Sequence, residues 1–380
     1  MIKRTLQELC LNITDGKHGD CENEENSGYY FISCKDIFDG QINYKNARQI
    51  TKADFEETHK RTMLEVDDIL LTNSGTIGRM AFVTDREATT KTTFQKSVAI
   101  IKPDKQKVLP RYLYYQLQNC VPQFINSSNG SAQKNLLLST MRTFQIEIEE
   151  NREKQEKIAN TLSAYDDLIE NNQKQIKLLE EAAQRLYKEW FVDLRFPGHE
   201  NTKIVDGVPE GWSRTNINGI LTFHRGYDLT KNEMKAGRYP VVGSTTVIGY
   251  HNEFKIKGPG IVTGRSGSLG KYQFIWDNFW PHNTSLYISD YKDHNIFFVY
   301  SLLQTVDFAS LNNGGAIPTL NRNVLSNIEV IKPTDELQEM FAKIAEPQYQ
   351  KIKNLEKQND RLKTARDLLL PKFMSGEVEV

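Results

Sequence analysis

The chain has 380 residues, of which 38% are hydrophobic and 26% are charged; this composition is typical of globular proteins, and the length predicts two or three domains. Its 48 basic and 49 acidic residues give a net charge of −1. This balance excludes a protein that coats nucleic acid through bulk positive charge, but it leaves sequence-specific binding by a local basic face open. No signal peptide or apolar stretch of membrane-spanning length is recognisable, so a cytoplasmic protein is expected.

The cysteines all lie in the first third of the chain, at Cys10, Cys21, Cys34 and Cys120. No two of them have the spacing of a zinc knuckle, and no pair of histidines completes such a site. The sequence therefore predicts reduced, partly buried thiols and no metal site.

A distinctive segment, DDILLTNSGTIGRMAFV at residues 67–83, consists of two apolar runs separated by Ser-Gly-x-x-Gly and a basic residue. The same pattern returns in GPGIVTGRSGSLGKYQFI at residues 258–275, 192 residues further on. One interpretation is a tight turn between two strands, in which Gly75 and Gly78 supply positive φ angles. The other is that the glycine amides and the polar side chains of the turn approach a phosphate backbone.

Further blocks repeat in the same order. TFQKSVAII resembles WPHNTSLYI, the helix candidate RYLYYQLQN resembles IFFVYSLLQ, SSNGSAQKNL resembles LNNGGAIPTL, and EKQEKIANTLS resembles ELQEMFAKIAE. Five blocks in one order indicate two copies of a globular part followed by a helical part. The predicted segments are globular at 1–150, helical at 151–194, globular at 195–334 and helical at 335–380.

Each helical part has an apolar seam whose spacing alternates between four and three residues, which is the pattern of a coiled coil. The first seam is Ile158, Leu162, Tyr165, Ile169, Asn172, Ile176, Leu179, Ala183, Leu186 and Trp190. The second is Phe341, Ala345, Gln348, Ile352, Leu355, Asn359, Leu362, Arg366, Leu369 and Phe373. Pro347 and Pro371 are expected to bend or end the first and last turns of the second helix.

Neither helix can bury its seam alone, so we expect the two to pair, antiparallel because globular and helical parts alternate along the chain. Each seam contains one asparagine, and a lone polar residue in a seam often fixes the register. If Asn172 faces Asn359, Ile158 meets Phe373 and Trp190 meets Phe341, so the seams overlap from end to end. The alternative is that each asparagine is a solvated position.

Motifs for catalysis are absent from the sequence. It contains no phosphate-binding G-x-x-x-x-G-K-[ST], no glycine-rich strand-to-helix turn, no metal-binding histidine spacing and no G-x-S-x-G. We therefore expect a chain without catalytic residues, metal or cofactor.

Polar segments beside the predicted strands are candidates for contacts with DNA, because Asn and Gln pair with adenine, and Arg and Lys with guanine, in the major groove. The candidates in the first copy are Ser74, Thr76, Arg79, Lys91, Thr92, Thr93, Gln95, Lys96, Asn129, Ser131, Gln133, Lys134 and Asn135. Those in the second copy are Arg265, Ser266, Ser268, Lys271, His282, Asn283, Asn312, Asn313, Thr319, Asn321 and Arg322. Ordinary loop chemistry is the alternative for each of them.

The repeated blocks of the two copies align, but the residues at these candidate positions differ. This difference is expected if the two copies recognise two different half-sites. The two predicted globular segments differ in net charge. Residues 195–334 contain 14 basic and 11 acidic side chains, whereas residues 1–150 contain 19 and 20, so the first copy must segregate its charge to bind DNA.

The chain resembles the specificity (S) subunits of type I restriction-modification systems. The resemblance covers the whole chain and is most specific in EKQEKIANTLSAYDDLIENNQKQIKLLEEAAQRLYKEWFVDLRFPG, in VPEGW at 208–212 and in the ending ARDLLLPKFMSGEVEV. It implies an α+β fold with two tandem target recognition domains of mixed β-sheet and helices. Two long antiparallel coiled-coil helices would join them with pseudo-twofold symmetry.

The resemblance further implies that each domain recognises one half of a bipartite double-stranded DNA target, and that the helices set the gap. The helices would also dock two methyltransferase (M) subunits, which use S-adenosylmethionine to methylate adenine. Restriction (R) subunits, which use ATP and Mg, would complete the complex, with no role for a membrane. A structural coiled-coil adaptor with protein-binding globular ends is the alternative, and an unrecognised nuclease has no supporting motif.

Overall fold

The computed structural model describes residues 1–128, 134–265, 270–306 and 328–379. The chain folds into two compact units. The first unit consists of Met1–Asn171 together with Gln358–Val380, and the second consists of Asn172–Lys357. Each unit therefore combines one globular copy with part of each long helix, whereas the segments predicted from the sequence follow chain order.

The first unit is built mainly of short strands. They are β1 (Ile2–Thr5), β2 (Cys10–Asp15), β3 (Tyr30–Ile32), β4 (Ile37–Phe38), β5 (Gln41–Ile42), β6 (Arg48–Gln49), β7 (Ile69–Thr72), β8 (Met80–Phe82), β9 (Thr92–Phe94), β10 (Val98–Pro103) and β11 (Gln145–Ile148). The helices that begin in this unit are α1 (Lys52–Thr62), α2 (Pro110–Asn119), α3 (Val121–Asn126), α4 (Leu138–Thr143) and α5 (Arg152–Tyr187). Short 3-10 turns cover Cys34–Asp36 and Thr89–Lys91.

The central sheet of the first unit has the order β2-β10-β7-β8 and is antiparallel. A smaller sheet has the order β6-β3-β9, in which β3 and β9 are parallel, and two further pairs join β1 to β11 and β4 to β5. Consecutive residues of β7 and β10 are buried. Since successive side chains of a strand point to opposite faces, both faces of these strands are covered. Leu71 and Ile101 pack in one apolar cluster, and Leu70 and Ile100 in another.

The second unit repeats this plan. Its strands are β12 (Ile204–Val205), β13 (Val208–Pro209), β14 (Ser213–Asn216), β15 (Thr222–Arg225), β16 (Tyr239–Val242), β17 (Val247–His251), β18 (Gly260–Gly264), β19 (Tyr272–Ile275), β20 (Trp280–Pro281), β21 (Ser285–Asp290) and β22 (Glu329–Lys332). The helices that begin there are α6 (Ile217–Ile220), α7 (Ile296–Thr305) and α8 (Asp335–Ser375), and a 3-10 turn covers His199–Asn201.

The sheet order β15-β21-β18-β19 corresponds strand by strand to β2-β10-β7-β8. The order β17-β16-β20, with β16 and β20 parallel, corresponds to β6-β3-β9, and the pair β14–β22 corresponds to β1–β11. The repeat predicted from the sequence is therefore confirmed for the described residues, and the fold is α+β. Of the five sequence blocks, the copy LNNGGAIPTL at 311–320 lies outside the described residues. The helix candidates at 111–119 and 296–304 are α2 and α7.

The second long helix corrects one expectation from the sequence. α8 runs unbroken for 41 residues through Pro347 and Pro371, so neither proline ends it. Residues beside both prolines are buried, including Ala345, Tyr349 and Phe373. Their packing stabilises the helix despite the backbone hydrogen bond that each proline removes, because tertiary context overrides local propensity.

The first long helix ends in a wider turn. α5 has 36 residues and is followed by a π-helical turn at Lys188–Val192, closed by a 2.8 Å hydrogen bond from the Asp193 amide to the Lys188 carbonyl. This turn buries Trp190 and Phe191, so the helical backbone reaches the predicted end of the seam.

Within each unit the helix segments pack on each other and on the sheet domain. In the second unit the rings of Tyr187 and Trp190 lie 5.9 and 6.2 Å from that of Phe341, and Glu180 lies near Tyr349. Residue numbers fall along one helix as they rise along the other, so the segments are antiparallel there. In the first unit Ile158 and Phe373 belong to the same apolar cluster.

The residues proposed for helix pairing are all buried or half-buried. They are Ile158, Leu162, Ile169, Asn172, Ile176, Leu179, Leu186, Trp190, Phe341, Ile352, Leu355, Asn359, Leu362, Leu369 and Phe373. Asn172 and Asn359 are only 4% and 7% exposed, which excludes the alternative of solvated positions. The charge of Arg366 within the seam is neutralised by Asp166, 2.6 Å away.

Candidate nucleic-acid interface

Four loop segments of the first unit meet where strands β2, β3, β7 and β9 end. The Lys17 amide donates a 2.8 Å hydrogen bond to the Phe94 carbonyl, the Gln95 amide one of 2.8 Å to Ile32, and the Asn73 amide one of 3.0 Å to Ser97. These three hydrogen bonds hold the loops side by side, and we call them the loop frame. The surface they form, the first loop face, consists of Lys17, His18, Lys35, Ser74, Gln95, Lys96 and Asn135.

The first loop face contains two adjoining clefts of about 310 and about 270 Å³. Ser74 and Lys96 line both of them, Asn135 lines the first, and Gln95 lines the second. Folding thus brings together predicted residues that are up to 61 positions apart in the sequence. Amide, hydroxyl and ammonium groups on a concave surface are the chemistry that base edges and phosphates require.

Charge on this face is partly neutralised within the unit. Lys17 Nζ lies 3.0 Å from Asp54 and 3.2 Å from Glu57, and the hydrogen bond with Asp54 is the main cause that raises its pKa. Lys35 and Lys96, in contrast, are exposed. The basic groups that extend into solvent on the first loop face are therefore these two lysines.

The Ser-Gly-x-x-Gly segment is the predicted tight turn between β7 and β8. Gly75 and Gly78 have φ angles of +79° and +94°, and a side chain at Gly78 would meet Val121 at 2.6 Å. The Arg79 amide donates to Thr72 Oγ1 at 2.9 Å and closes the turn. This geometry confirms the turn interpretation and leaves Thr76 and Arg79 exposed beside the clefts.

Two predicted contact residues are corrected by their burial. Thr92 and Thr93 are both 0% exposed and so cannot reach DNA in this fold. The Thr92 hydroxyl donates to the Ala88 carbonyl at 2.6 Å, and the Thr93 hydroxyl lies 3.3 Å from that of Thr62. Adjacent side chains of a strand point to opposite faces, so both faces of β9 are buried, which the sequence did not show.

Lys91 and Lys134 are exposed but occupy different places. Lys134 is next to Asn135, at the edge of the first loop face. Lys91 precedes β9, whereas Gln95 and Lys96 follow it, so Lys91 lies at the opposite end of that strand. Lys91 is therefore not part of the first loop face.

The second unit has the same loop frame at the corresponding positions. The Tyr227 amide donates a 2.8 Å hydrogen bond to Pro281, the His282 amide one of 2.9 Å to Val242, and the Arg265 amide one of 3.1 Å to Thr284. The second loop face consists of Tyr227, Asp228, Ser244, Arg265, His282, Asn283 and Thr284. Its backbone matches that of the first loop face, whereas its side chains differ in charge, size and hydrogen-bonding groups.

Side chains on the second loop face bond extensively to one another. His282 places Nδ1 2.9 Å from Thr284 Oγ1 and Nε2 3.2 Å from the Leu229 carbonyl. The Asn283 amide donates to Asp228, and the Ser244 hydroxyl donates to the Thr284 carbonyl at 2.8 Å. Arg265 is half-buried and Lys271 is exposed.

The sequence did not predict the loop that follows the first strand of each four-stranded sheet, which contains Lys17 and His18 in the first unit and Tyr227 in the second. Two glycines at corresponding positions, Gly16 and Gly226, could have indicated these loops. A Cβ at Gly16 would lie 1.9 Å from the Phe94 carbonyl oxygen, and one at Gly226 would lie 2.1 Å from that of His282. Aligning ITDGKHGD with TFHRGYDL at these glycines would have added both loops to the candidate interface.

The remaining predicted contact residues lie outside the described residues. They are Asn129, Ser131, Gln133, Ser266, Ser268, Asn312, Asn313, Thr319, Asn321 and Arg322.

The fold and the repeated loop faces define a tandem α+β protein with two equivalent surface sites and long helices. The family model described as "Type I restriction modification DNA specificity domain" matches residues 3–181 and again residues 209–364. The chain belongs to this family and contains two of its domains in tandem.

Known proteins resemble the chain over part or most of its length. The type I restriction enzyme MjaIX specificity subunit of Methanocaldococcus jannaschii is 27% identical over 384 residues, which cover 92% of this chain and 87% of the relative. The EcoBI specificity subunit of Escherichia coli is 28% identical over 173 residues, 44% of this chain and 35% of that protein. No helix among the described residues is long and apolar enough to cross a membrane.

A solved structure has the same fold. The S subunit of a type I restriction-modification system from M. genitalium superposes with a TM-score of 0.59, covering 98% of this chain and 95% of that one. The two sequences are 20% identical, so this likeness concerns the fold.

Proposed function

We propose that the chain is the specificity subunit of a type I restriction-modification complex and that each unit recognises one half of a bipartite DNA target. The observation that carries the proposal is the loop frame, which recurs in both units with different side chains. A constant backbone with variable side chains places different recognition groups at the same position relative to each sheet. Two different half-sites can thus be recognised by one fold.

Recognition would divide between base edges and phosphates. On the first loop face, Gln95 and Asn135 can pair with adenine, whereas Lys35 and Lys96 can contact guanine or phosphate. Arg79, beside the clefts, can do the same. On the second loop face, His282 and Asn283 take the positions of Gln95 and Lys96, and Arg265 takes that of Asn73. With exposed lysines on the first loop face and Arg265 on the second, a net charge of −1 for the whole chain is compatible with DNA binding.

The long helices would set the gap between the half-sites and dock two methyltransferase subunits. Large apolar side chains are exposed along them, and burying these side chains against a partner would remove apolar surface from water. They are Leu168, Leu178, Met340, Ile344 and Leu368, between 42% and 64% exposed.

The proposed complex assigns chemistry to the partners and recognition to this chain. The methyltransferase subunits would use S-adenosylmethionine to methylate adenine, and restriction subunits would use ATP and Mg. The chain itself would be non-catalytic, would contain neither cofactor nor metal, and would act in the cytoplasm, where such a complex meets the DNA it modifies.

The test is to map methylated adenines in a host that expresses the chain together with its methyltransferase subunit. We expect one bipartite motif, and Gln95→Ala should relax one base position in one half while the other half stays unchanged. Lys91→Ala is the matched control, because Lys91 lies at the other end of β9, and it should leave the motif intact. Methylation without any sequence preference would refute the proposal and favour the coiled-coil adaptor.

A further inference from the structure

The hairpin formed by β16 and β17 in the second unit ends in an uncharged, exposed tip. Residues 243–250 read GSTTVIGY and contain no charged side chain. Four consecutive residues within this segment are exposed, and we call them the methyl tip: Thr245, Thr246, Val247 and Ile248. Val247 and Ile248 are 42% and 47% exposed. Since successive side chains of a strand point to opposite faces, the described part of the unit covers neither face of this tip.

A β-bulge places Ile248 outside the regular pairing of the two strands. The pairing shifts between Val241 and Val242, which leaves Ile248 as an extra residue in β17. A Cβ at Gly243 would lie 2.8 Å from Ile248 Cγ2, so this side chain packs against the turn of the hairpin. Bulges of this kind re-aim a side chain. Here the bulge keeps Ile248 at the turn, together with the rest of the methyl tip.

The turn of the hairpin is fixed to the second loop face. The Ser244 hydroxyl, which belongs to that face, donates a 2.8 Å hydrogen bond to the Thr284 carbonyl. The Gln273 side chain donates one of 3.0 Å to the Gly243 carbonyl. The methyl tip follows Ser244 directly in the chain, so it extends the surface that is proposed to contact DNA.

The composition of β17 favours a binding partner for this tip. The strand lies at the edge of the described sheet β17-β16-β20. Exposed edge strands that are β-branched and uncharged tend to pair with other chains and aggregate, and charged residues normally prevent this. A partner that covers the methyl tip would remove the liability, and the hydrogen bonds to the second loop face favour DNA as that partner.

The corresponding connection in the first unit has a different structure. Strands β3 and β6 correspond to β16 and β17, and they are joined by residues 33–47, whereas residues 243–246 join β16 to β17. The longer connection contains the pair β4–β5 and the exposed Lys35 of the first loop face. One connection thus presents a cation and the other presents methyl groups, so a preference based on methyl contacts is expected in the second half-site only.

We propose that the methyl tip enters the major groove of the second half-site and recognises the 5-methyl group of thymine. This inference rests on the proposed function for the DNA target. The major groove is about 12 Å wide and admits a two-stranded ribbon, and thymine alone among the four bases presents an apolar group there. Val247 and Ile248 have no side-chain hydrogen-bonding groups, so they distinguish bases through that methyl group. The minor groove presents no methyl group.

The first experiment removes single methyl groups from the DNA. The chain is assembled with its methyltransferase subunit, and each thymine of the methylated motif, in either strand, is replaced in turn by deoxyuridine. Deoxyuridine keeps the hydrogen-bonding groups of thymidine and lacks only the methyl group. At one or more positions of the second half-site we expect about fourfold weaker binding, the change for exposing one buried methyl group. The second half-site is the half that Gln95→Ala leaves unchanged.

The second experiment couples this effect to the hairpin. In Val247→Ala/Ile248→Ala, DNA with thymine and DNA with deoxyuridine should bind equally well at the same positions, because the apolar partner of the methyl group is gone. The matched control is Ile204→Ala/Val205→Ala, which shortens the same two residue types on the exposed strand β12, outside the second loop face. The control should keep the difference between the two DNAs.

The outcomes separate this inference from the proposed function. Sequence-specific binding that is equal for thymine and deoxyuridine throughout the second half-site overturns the inference and leaves the proposed function standing. A difference that persists in Val247→Ala/Ile248→Ala also overturns it, as does a variant that loses assembly with the methyltransferase subunit while deoxyuridine has no effect in the wild type. A complex without sequence preference refutes the proposed function itself. The deoxyuridine measurement needs only the wild type, so it decides even if the variant misfolds.

Discussion

At the scale of single residues, close approach of backbones positions both loop faces. Gly16 and Gly226 each lie against a carbonyl of the neighbouring strand, and no side chain fits in the space. The loop frame depends on this approach, because the Lys17 and Tyr227 amides donate across the same gap. These two glycines therefore link local backbone packing to the arrangement of the recognition loops.

Gly16→Ala should lower the free energy of unfolding by about 1–3 kcal/mol, since the new Cβ would overlap the Phe94 carbonyl and force the backbone to shift. Urea denaturation of the full chain measures this change. Ser139→Ala, at an exposed position of the same unit, is the control and should stay within about 0.5 kcal/mol of the wild type. Equal stability of Gly16→Ala and the control would contradict the packing argument.

Phosphate contacts can be separated from base contacts through the exposed lysines. Lys96→Ala should weaken DNA binding for all sequences and reduce the slope of log affinity against log salt by about 1. Lys91→Ala preserves the slope, because Lys91 lies away from the first loop face. Binding isotherms at several salt concentrations give both slopes, and the same reduction in both variants would show that the loop face is wrongly placed.

A buried carboxylate makes stability depend on pH. Asp68 is bonded to Lys102 at 2.8 Å, yet burial raises its pKa from 3.8 to about 6. The folded chain then binds more protons than the unfolded chain between these values, so stability falls as pH rises from about 4 to about 6. Urea midpoints across this range should fall more in the wild type than in Asp68→Asn; parallel curves would contradict this.

At the scale of elements, the sequence predicted those with a regular local pattern. It did not predict features that depend on contacts between residues far apart in the chain. The seam of α5 and the Ser-Gly-x-x-Gly turn between β7 and β8 were predictable, because both follow local patterns. Thr92 and Thr93 were assigned to the DNA surface because a short polar run does not show that both faces of its strand are buried. The continuity of α8 through its two prolines could not be predicted from the sequence either, because it depends on the packing of Ala345 and Phe373.

α8 provides a test of the balance between local propensity and packing. Pro347 is exposed and lies inside the helix, so Pro347→Ala restores a backbone hydrogen bond without loss of buried contacts. We expect the free energy of unfolding to rise by up to about 3 kcal/mol. Thermal or urea denaturation measures it, with Ala182→Ser at an exposed position of α5 as the comparison, and a decrease on replacing the proline would contradict the prediction.

At the scale of the whole molecule, the repeat makes recognition modular. Replacing residues 1–150 by the corresponding segment of a relative with a different specificity should change one half of the methylated motif and preserve the other. Inserting one helical turn into each long helix should change the gap and neither half. Methylome sequencing distinguishes these outcomes, and a change of both halves after either edit would contradict modular recognition.

The two units also differ in whether they are formed by one continuous segment of the chain or by two separate segments. The second unit is a continuous stretch, Asn172–Lys357, whereas the first needs both Met1–Asn171 and Gln358–Val380. Phe373 and Met374 complete an apolar cluster that includes Tyr112 and Leu162. On the ribosome, the unit whose synthesis begins first can therefore finish its core only after the last residues emerge. The second unit has all of its residues earlier, and the order of completion is the reverse of the order of translation.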